Sequence, residues 1–369
     1  MFVAGCIALL LVGSIGATVR AEPYRIIELG DLGGGFSRAR AVNSLGQVVG
    51  ESTLPSRVEH AFSWRSGTLS DLGTLGGQRS RALDINGAGQ IAGWAQDSAG
   101  TSKPALWEGG EARELPTLGG ASGVAWGINS LGQAVGNAYL NSSVYHAALW
   151  SGTGVTDLGT LGGSYSIAYD INLRGDVVGS ADDSLGREWA CLWSGGEVRR
   201  IEGLPGGTWS TARGINDRGQ VILWGDTFGG AAHAAIWDDG VVTDLGTFGG
   251  KESWAYGLNN RGYVVGWAEL SLGNYHAFVY DGTSMTDLGT LGGMFSSAYG
   301  INDAGVIVGA AMTATGQWQA VAWVPAPEPV TMCLWVLGAC AVFVRRRAAA
   351  PGGSGSGIGV PARVCLWRR

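Results

Sequence analysis

The sequence predicts an all-β fold, a seven-bladed β-propeller built from four-stranded repeats of 43 or 44 residues, and three recurring markers support it. An asparagine follows an aliphatic residue at Asn43, Asn86, Asn129, Asn172, Asn216, Asn259 and Asn302. An aromatic residue comes 21 positions after each asparagine, at Trp64, Trp107, Trp150, Trp193, Trp237, Tyr280 and Trp323. A Gly-Gly pair ends at Gly34, Gly77, Gly120, Gly163, Gly207, Gly250 and Gly293. Because the three markers recur seven times in one register, chance composition does not explain them.

Each repeat contains the signals of four short strands. The first strand has the pattern Ser-x-Ala-x-x-Ile-Asn, as in residues 80–86, and its small residues two apart share one face. The Asn-x-x-Gly that follows favours a type I turn into a second strand. A variable loop, a third strand that ends in the aromatic marker, and a fourth strand such as residues 157–163 complete the unit. Four strands in this length are typical of a propeller blade.

The ends of the repeat region predict how the ring closes. Residues 24–34 resemble a lone fourth strand, and the last repeat stops after its third strand at Trp323. The N-terminal strand is therefore expected to complete the last blade, which removes an open sheet edge. An open β-solenoid is the alternative, although it would need capping units rather than a split final repeat.

Composition excludes several other classes of protein. The chain has 65 glycines but only 10 prolines, too few for collagen, and its 46% of hydrophobic residues are too many for a disordered chain. Residues 22–324 contain 17 basic and 29 acidic residues, a net charge of −12. Such a surface repels phosphate backbones, so no nucleic-acid partner is expected.

The two ends have the composition of targeting segments. Residues 1–21 are expected to be a secretory signal peptide, because residues 2–17 are apolar or small and a small-x-small cleavage site follows. Near the other end, residues 330–344 are apolar, but fifteen residues are short for a span of about 20. A plain membrane anchor within residues 325–347 is one interpretation. The Gly/Ser/Pro-rich residues 348–369 are expected to be disordered.

Two resemblances to known families add to this interpretation. Pro327, Glu328 and Pro329, the apolar stretch, and the cluster Arg345, Arg346 and Arg347 together resemble the PEP-CTERM sorting signal of Gram-negative bacteria. That resemblance implies transient membrane anchoring, recognition by an exosortase-type enzyme, cleavage, and delivery to the cell surface or an exopolysaccharide matrix. Members of that family normally end after the arginine cluster, whereas this chain continues to Arg369.

The repeats themselves resemble the HAF-type extracellular repeat, on the strength of His60-Ala61-Phe62 and His276-Ala277-Phe278. The resemblance implies an exported bacterial protein, and no activity comes with the family.

No residue set predicts catalysis, a cofactor or a metal site. The four histidines occupy one repeat position, so we expect a structural role for His60, His146, His233 and His276 rather than a metal ring. The fourth-strand acids also recur and are expected to bond turn amides or a neighbouring blade: Glu28, Asp71, Glu114, Asp157, Asp244 and Asp287. Asp84 and Asp170 suggest calcium, but the alternating oxygen ligands of an EF-hand are missing, which favours turn chemistry.

Aromatic residues that vary within the repeat are the candidate ligand-binding residues. Trp126, Tyr169, Tyr256 and Tyr299 lie three positions before the repeat asparagine, where other repeats have Arg40, Leu83 and Arg213. Variation at a fixed position is typical of a binding surface, and also of packing between blades. If they form a site, aromatic rings with nearby carboxylates suit a polysaccharide.

The sequence therefore favours an exported, non-enzymatic cell-surface or matrix protein that binds exopolysaccharide, another glycan or another surface protein. A secreted carbohydrate-active lyase or hydrolase on the same scaffold is the first alternative. A structural spacer of the envelope without a ligand is the second.

Overall fold

The computed structural model describes residues 24–326, and the predicted signal peptide, sorting signal and C-terminal tail lie outside them. The described chain is all β, with the strands β1 (Tyr24–Gly30), β2 (Ser37–Val42), β3 (Val48–Thr53), β4 (Glu59–Arg65), β5 (Thr68–Asp71), β6 (Gly76–Ile85), β7 (Ile91–Asp97), β8 (Ser102–Glu108), β9 (Glu111–Glu114), β10 (Gly123–Ile128), β11 (Ala134–Tyr139), β12 (Tyr145–Ser151), β13 (Gly154–Gly159) and β14 (Gly162–Ile171). The later strands are β15 (Val177–Asp183), β16 (Glu188–Ser194), β17 (Glu197–Arg200), β18 (Ser210–Ile215), β19 (Val221–Asp226), β20 (Ala232–Asp238), β21 (Val241–Asp244), β22 (Gly249–Leu258), β23 (Val264–Leu270), β24 (Tyr275–Tyr280), β25 (Met285–Asp287), β26 (Gly292–Ile301), β27 (Ile307–Thr313) and β28 (Trp318–Pro325). No helix in this part of the chain is long and apolar enough to cross a membrane.

The strands form five four-stranded antiparallel sheets and one mixed eight-stranded sheet, in the arrangement of a β-propeller. The five sheets are β2–β5, β6–β9, β10–β13, β14–β17 and β18–β21. The larger sheet holds β22–β25 and β26–β28 with β1, and a single parallel bridge between Tyr275 and Phe295 joins its two halves.

The innermost strands close into a ring. Each first strand contacts the first strands of both neighbours, in the order β2, β6, β10, β14, β18, β22, β26 and back to β2. The recurring alanine of these strands is fully buried in all seven repeats, so adjacent sheets approach closely there. The hydrophobic core is divided into clusters between neighbouring sheets, and one of them joins Val308 and Ala320 to Ala39 and Phe62.

The N-terminal strand closes the ring as the sequence predicts. β1 pairs antiparallel with β28, with Tyr24 opposite Pro325, and Leu29 of β1 is buried. The edge of β28 is thereby covered by a strand from the other end of the repeat region.

Candidate functional site

A β-bulge in every first strand directs one side chain toward the central axis. Near the end of every first strand, the register with the second strand skips one residue directly after the recurring alanine, for example between Ala125 and Gly127. The seven residues skipped at this position form what we call the bulge ring: Arg40, Leu83, Trp126, Tyr169, Arg213, Tyr256 and Tyr299. Bulges commonly re-aim side chains next to functional sites.

All seven side chains of the bulge ring line one central cavity of about 180 Å³. A single water molecule needs only roughly 10–15 Å³, so the cavity has room for a larger group. The four aromatic residues predicted as candidate ligand contacts, Trp126, Tyr169, Tyr256 and Tyr299, are thus brought together. Arg40, Leu83 and Arg213 replace an aromatic residue at this position in the other three repeats, and they belong to the same wall.

The ring residues contact one another around the cavity. The Trp126 and Tyr169 rings meet edge to face with centroids 5.6 Å apart, and those of Tyr256 and Tyr299 lie 5.1 Å apart. The guanidinium of Arg213 lies 3.8 Å from the Tyr169 ring centroid, and that of Arg40 lies 4.7 Å from that of Tyr299. Such contacts stabilise a cation over the ring faces.

The two arginines of the bulge ring have different partners. Arg40 donates three hydrogen bonds to the fully buried carboxylate of Glu51, at 2.7 to 3.1 Å. Arg213 forms no salt bridge with any residue of the described chain, and its Nε has no hydrogen-bond partner there. Burial lowers the pKa of Arg213 below its usual value, because removing a cation from water disfavours its charged form.

Two carboxyl groups also line the cavity, beside small residues of the other repeats. Asp84 accepts the amides of Ile85 and Ile128, each at 2.8 Å, and Asp170 accepts those of Ile171 at 2.8 Å and Ile215 at 2.9 Å. Each carboxylate therefore links its own strand to the first strand of the next sheet.

Burial raises the pKa of both carboxyl groups even though the amide bonds favour ionisation. The pKa of Asp84 rises to about 6, and that of Asp170, which also faces the charge of Asp84, rises to about 7. No group of three or more His, Cys, Asp or Glu in residues 24–326 is arranged to hold a metal ion.

The repeat asparagines form a second ring, which we call the asparagine ring. Each Nδ2 donates to the backbone carbonyl of the next repeat asparagine at 3.0 to 3.3 Å, and Asn302 donates to Asn43 to complete the circle. In the turn itself, the amide of the glycine three residues on donates to the asparagine carbonyl, as Gly132 does to Asn129. The predicted turn is confirmed in all seven repeats.

The asparagine side chain is suited to both tasks at once. In Asn129 the side-chain Oδ1 accepts the amides of Leu131 and Gln133 at 3.0 Å, while Nδ2 reaches the neighbouring repeat. An aspartate would keep the acceptor and lose the donor. The contact between repeats was not predicted, because the partner carbonyl is 43 residues away in sequence.

The asparagine ring borders a second cavity of about 300 Å³, which shares Asp84 and Asp170 with the first. Polar side chains line this second cavity, where the side-chain amide of Asn260 donates to the carboxylates of Asp217 at 2.9 Å and Asp303 at 3.3 Å. The central channel thus has an aromatic and cationic part and an acidic part.

The histidines lie outside this channel and pair with the fourth-strand acids. The Nδ1 atoms contact carboxylate oxygens at 2.8 to 3.0 Å in His60–Asp71, His146–Asp157, His233–Asp244 and His276–Asp287. The same aspartates accept the amide of the glycine two residues on, as predicted for turn bonding. Lys103 with Glu114, and Trp189 with Arg200, occupy the equivalent places in two other repeats.

Other tryptophans between the aromatic markers pack against one another. The ring centroids of Trp224 and Trp254 are 3.7 Å apart, and Trp254 and Trp267 are stacked at 5.9 Å. Trp209 lies 6.4 Å from Trp254. Trp254 and Trp267 are a cross-strand pair within one sheet, whereas the contacts of Trp224 and Trp209 with Trp254 join neighbouring sheets. This arrangement favours the packing interpretation for this set.

Comparison with known proteins shows the fold and no family. A Mycobacterium tuberculosis puromycin-hydrolysing peptidase is similar over 82% of this chain and 53% of its own, at 12% identity and a TM-score of 0.55. A puromycin hydrolase variant complexed with PGG is similar over 77% and 51%, at 14% identity and a TM-score of 0.55. This chain spans about half the length of both. No protein-family model and no curated protein sequence matches it, so the PEP-CTERM and HAF resemblances stay predictions.

Proposed function

We propose that this protein is an exported, non-enzymatic cell-surface or matrix protein whose propeller binds a glycan in the bulge-ring cavity. The observation that carries the proposal is the convergence of four aromatic rings and two guanidinium groups on one cavity of about 180 Å³. Aromatic faces match the apolar faces of sugar rings, and nearby polar groups fix their hydroxyls.

A seven-bladed count belongs to this proposal. The eight-stranded sheet divides at its single parallel bridge into β22–β25 and β26–β28 with β1, which gives seven blades with the other five sheets. The seven members of the bulge ring and of the asparagine ring support this division.

Export rests on the predicted signal peptide, residues 1–21, and on the resemblance of residues 327–347 to a PEP-CTERM signal. We infer an exosortase-type enzyme as processing partner and the cell surface or exopolysaccharide matrix as destination. Replacing Arg345, Arg346 and Arg347 by glutamine should leave an uncleaved, membrane-associated form. The intact mass of the protein in cell fractions tests this, and an unchanged distribution contradicts it.

The side chains around the cavity support binding rather than turnover. Burial raises the pKa of Tyr169 and of Tyr256, so neither phenol is a ready base near neutral pH. The bulge ring contains no histidine, cysteine or serine.

A carbohydrate-active enzyme is the second candidate, and one observation favours it. Asp84 and Asp170 occur at one repeat position in only two repeats, face the cavity and have raised pKa values. Paired carboxyl groups with different pKa values serve glycosidases. Both carboxylates are, however, engaged by two backbone amides each.

A glycan screen of the purified protein, with and without calcium, separates these functions. Saturable binding that weakens in Trp126→Ala and Tyr169→Ala, but not in Trp94→Ala, supports the proposal. Trp94 is a suitable control because it lies against Arg81 and does not line the cavity. Release of shortened or unsaturated products would show that the protein is a carbohydrate-active enzyme. If no glycan binds, the proposal that the ligand is a glycan is wrong.

A further inference from the structure

The unpaired guanidinium of Arg213 is the least satisfied group in the bulge ring. It lies deep in the ring, reaches solvent only in part, and lines the cavity. A buried cation without a counter-ion is costly, and structures normally supply a carboxylate, as Glu51 does for Arg40.

Neighbouring aromatic residues hold the Arg213 guanidinium in place. It lies 3.8 Å from the Tyr169 centroid, 5.4 Å from that of Trp224, and about 6 Å from those of Trp126 and Tyr256. Ring faces take up the flat side of a guanidinium and offer no carboxylate to its N–H edge. The Nε–H is buried and has no partner in residues 24–326, so the donor capacity of this guanidinium is not used up within the protein.

The nearby acids do not neutralise Arg213. Asp84 and Asp170 each accept two amides and form no salt bridge with it. Glu51 is engaged by Arg40 and also by Arg38. Arg213 therefore has no directly paired carboxylate in residues 24–326, and it lies beside an aromatic wall.

We infer that the ligand is an acidic saccharide whose oxyanion, a carboxylate or a sulfate, pairs with the N–H edge of Arg213 while its ring packs on the aromatic wall. This inference rests on the proposed glycan-binding function. A planar guanidinium matches a carboxylate or sulfate through two parallel hydrogen bonds, and these bonds are stronger when both partners are charged.

Titration calorimetry with the purified full chain tests the inference. The probes are a galacturonate oligosaccharide, its methyl ester, a neutral galactose oligosaccharide of the same length, and a sulfated galactose oligosaccharide. We expect the acidic probes to bind at least about tenfold more tightly than the neutral ones, because a charge-assisted hydrogen bond is lost with the charge. The preference between galacturonate and the sulfated sugar identifies the oxyanion.

Two substitutions connect the charge preference to this side chain. Arg213→Met should remove the acidic preference, and Arg213→Lys should retain part of it, since the charge stays and the two-pronged geometry is lost. Arg199→Met is the matched control: Arg199 is exposed and lies 5.7 Å from the Trp237 centroid, on β17 of an outer edge. It should change nothing.

The outcomes separate this inference from the proposed function. Equal affinity for acidic and neutral probes overturns the acidic ligand and leaves glycan binding standing, and this comparison uses only the unmodified protein. An acidic preference that survives Arg213→Met, in a variant with unchanged thermal unfolding, also overturns the assignment to Arg213. If no probe binds, the inference fails, and the broader glycan screen decides the proposed function separately.

Discussion

Replacing one member of the asparagine ring, Asn129→Ala, tests whether the ring holds the blades together. Asn129 is 5% exposed and makes four side-chain hydrogen bonds: two from Nδ2, to Asn172 O and Gln133 Oε1, and two accepted by Oδ1. A hydrogen bond contributes about 1 kcal/mol net. Losing all four bonds would therefore lower the free energy of unfolding by about 4 kcal/mol. The loss is smaller if a freed amide bonds to water instead, as that of the exposed Leu131 can, so we expect about 2–4 kcal/mol.

Urea unfolding followed by tryptophan fluorescence measures this loss. Asn141→Ala is the matched control, since Asn141 is exposed and its Oδ1 accepts the amides of Ser143 and Val144 within one loop. That control should cost less than about 1 kcal/mol. Asn129→Asp keeps the acceptor and places an oxygen against the carbonyl of Asn172, so it should cost at least as much as alanine.

Double substitutions separate the local side-chain bond of Asn129 from its contact with the next repeat. Asn129→Ala and Gln133→Ala both remove the Nδ2–Oε1 bond between these side chains, so their costs should not add. Asn129→Ala and Asn259→Ala share no bond and should add within roughly 0.5 kcal/mol. A cost for Asn129→Ala no larger than for the Asn141 control would refute the reasoning.

Two further predictions concern closure and pH. Leu29→Lys places a charge at a buried position of the closing strand and should cost at least about 2 kcal/mol in unfolding free energy, with self-association through the β28 edge in size-exclusion chromatography. Leu45→Lys, at a position 69% exposed, should do neither. The pKa of Asp170 is raised to about 7, so the folded state holds a proton that the unfolded state releases near pH 4. The stabilisation that Asp170 contributes is therefore complete below about pH 4 and is lost as the pH rises from about 4 to about 7. The total loss in the free energy of unfolding is at most roughly 4 kcal/mol. Asp170→Asn should flatten that part of the pH–stability curve, and an identical curve for the variant would contradict the assignment.

The architecture was predictable because its signals repeat. Glycine turns, the small first strand and the split last repeat are local patterns, and each recurs often enough to fix the period and the closing role of β1. The turn function of the repeat asparagine was predictable for the same reason.

The site was only half predictable. The variable position three before the asparagine is visible in the sequence, but the bulge that turns it inward depends on the register between two strands. In the sequence, Arg213 is one replacement among several at this position. Its lack of a counter-ion depends on which residues surround it in space, so it could not be predicted from the sequence. His60 and Asp71 both recur in the sequence, and their separation of eleven residues is the sequence signal for their pairing.

Tyr24 and Pro325 face each other at one end of the β1–β28 pair, and this arrangement determines how the domain responds to mechanical load. Tension applied to both flanks of the propeller would separate two antiparallel strands from their open end, so the hydrogen bonds would break one after another. Bonds loaded in sequence yield at lower force than bonds sheared together. If only one end of the propeller is attached, no force acts on the β1–β28 pair. If both ends are attached and pulled, β1 is the first strand to separate.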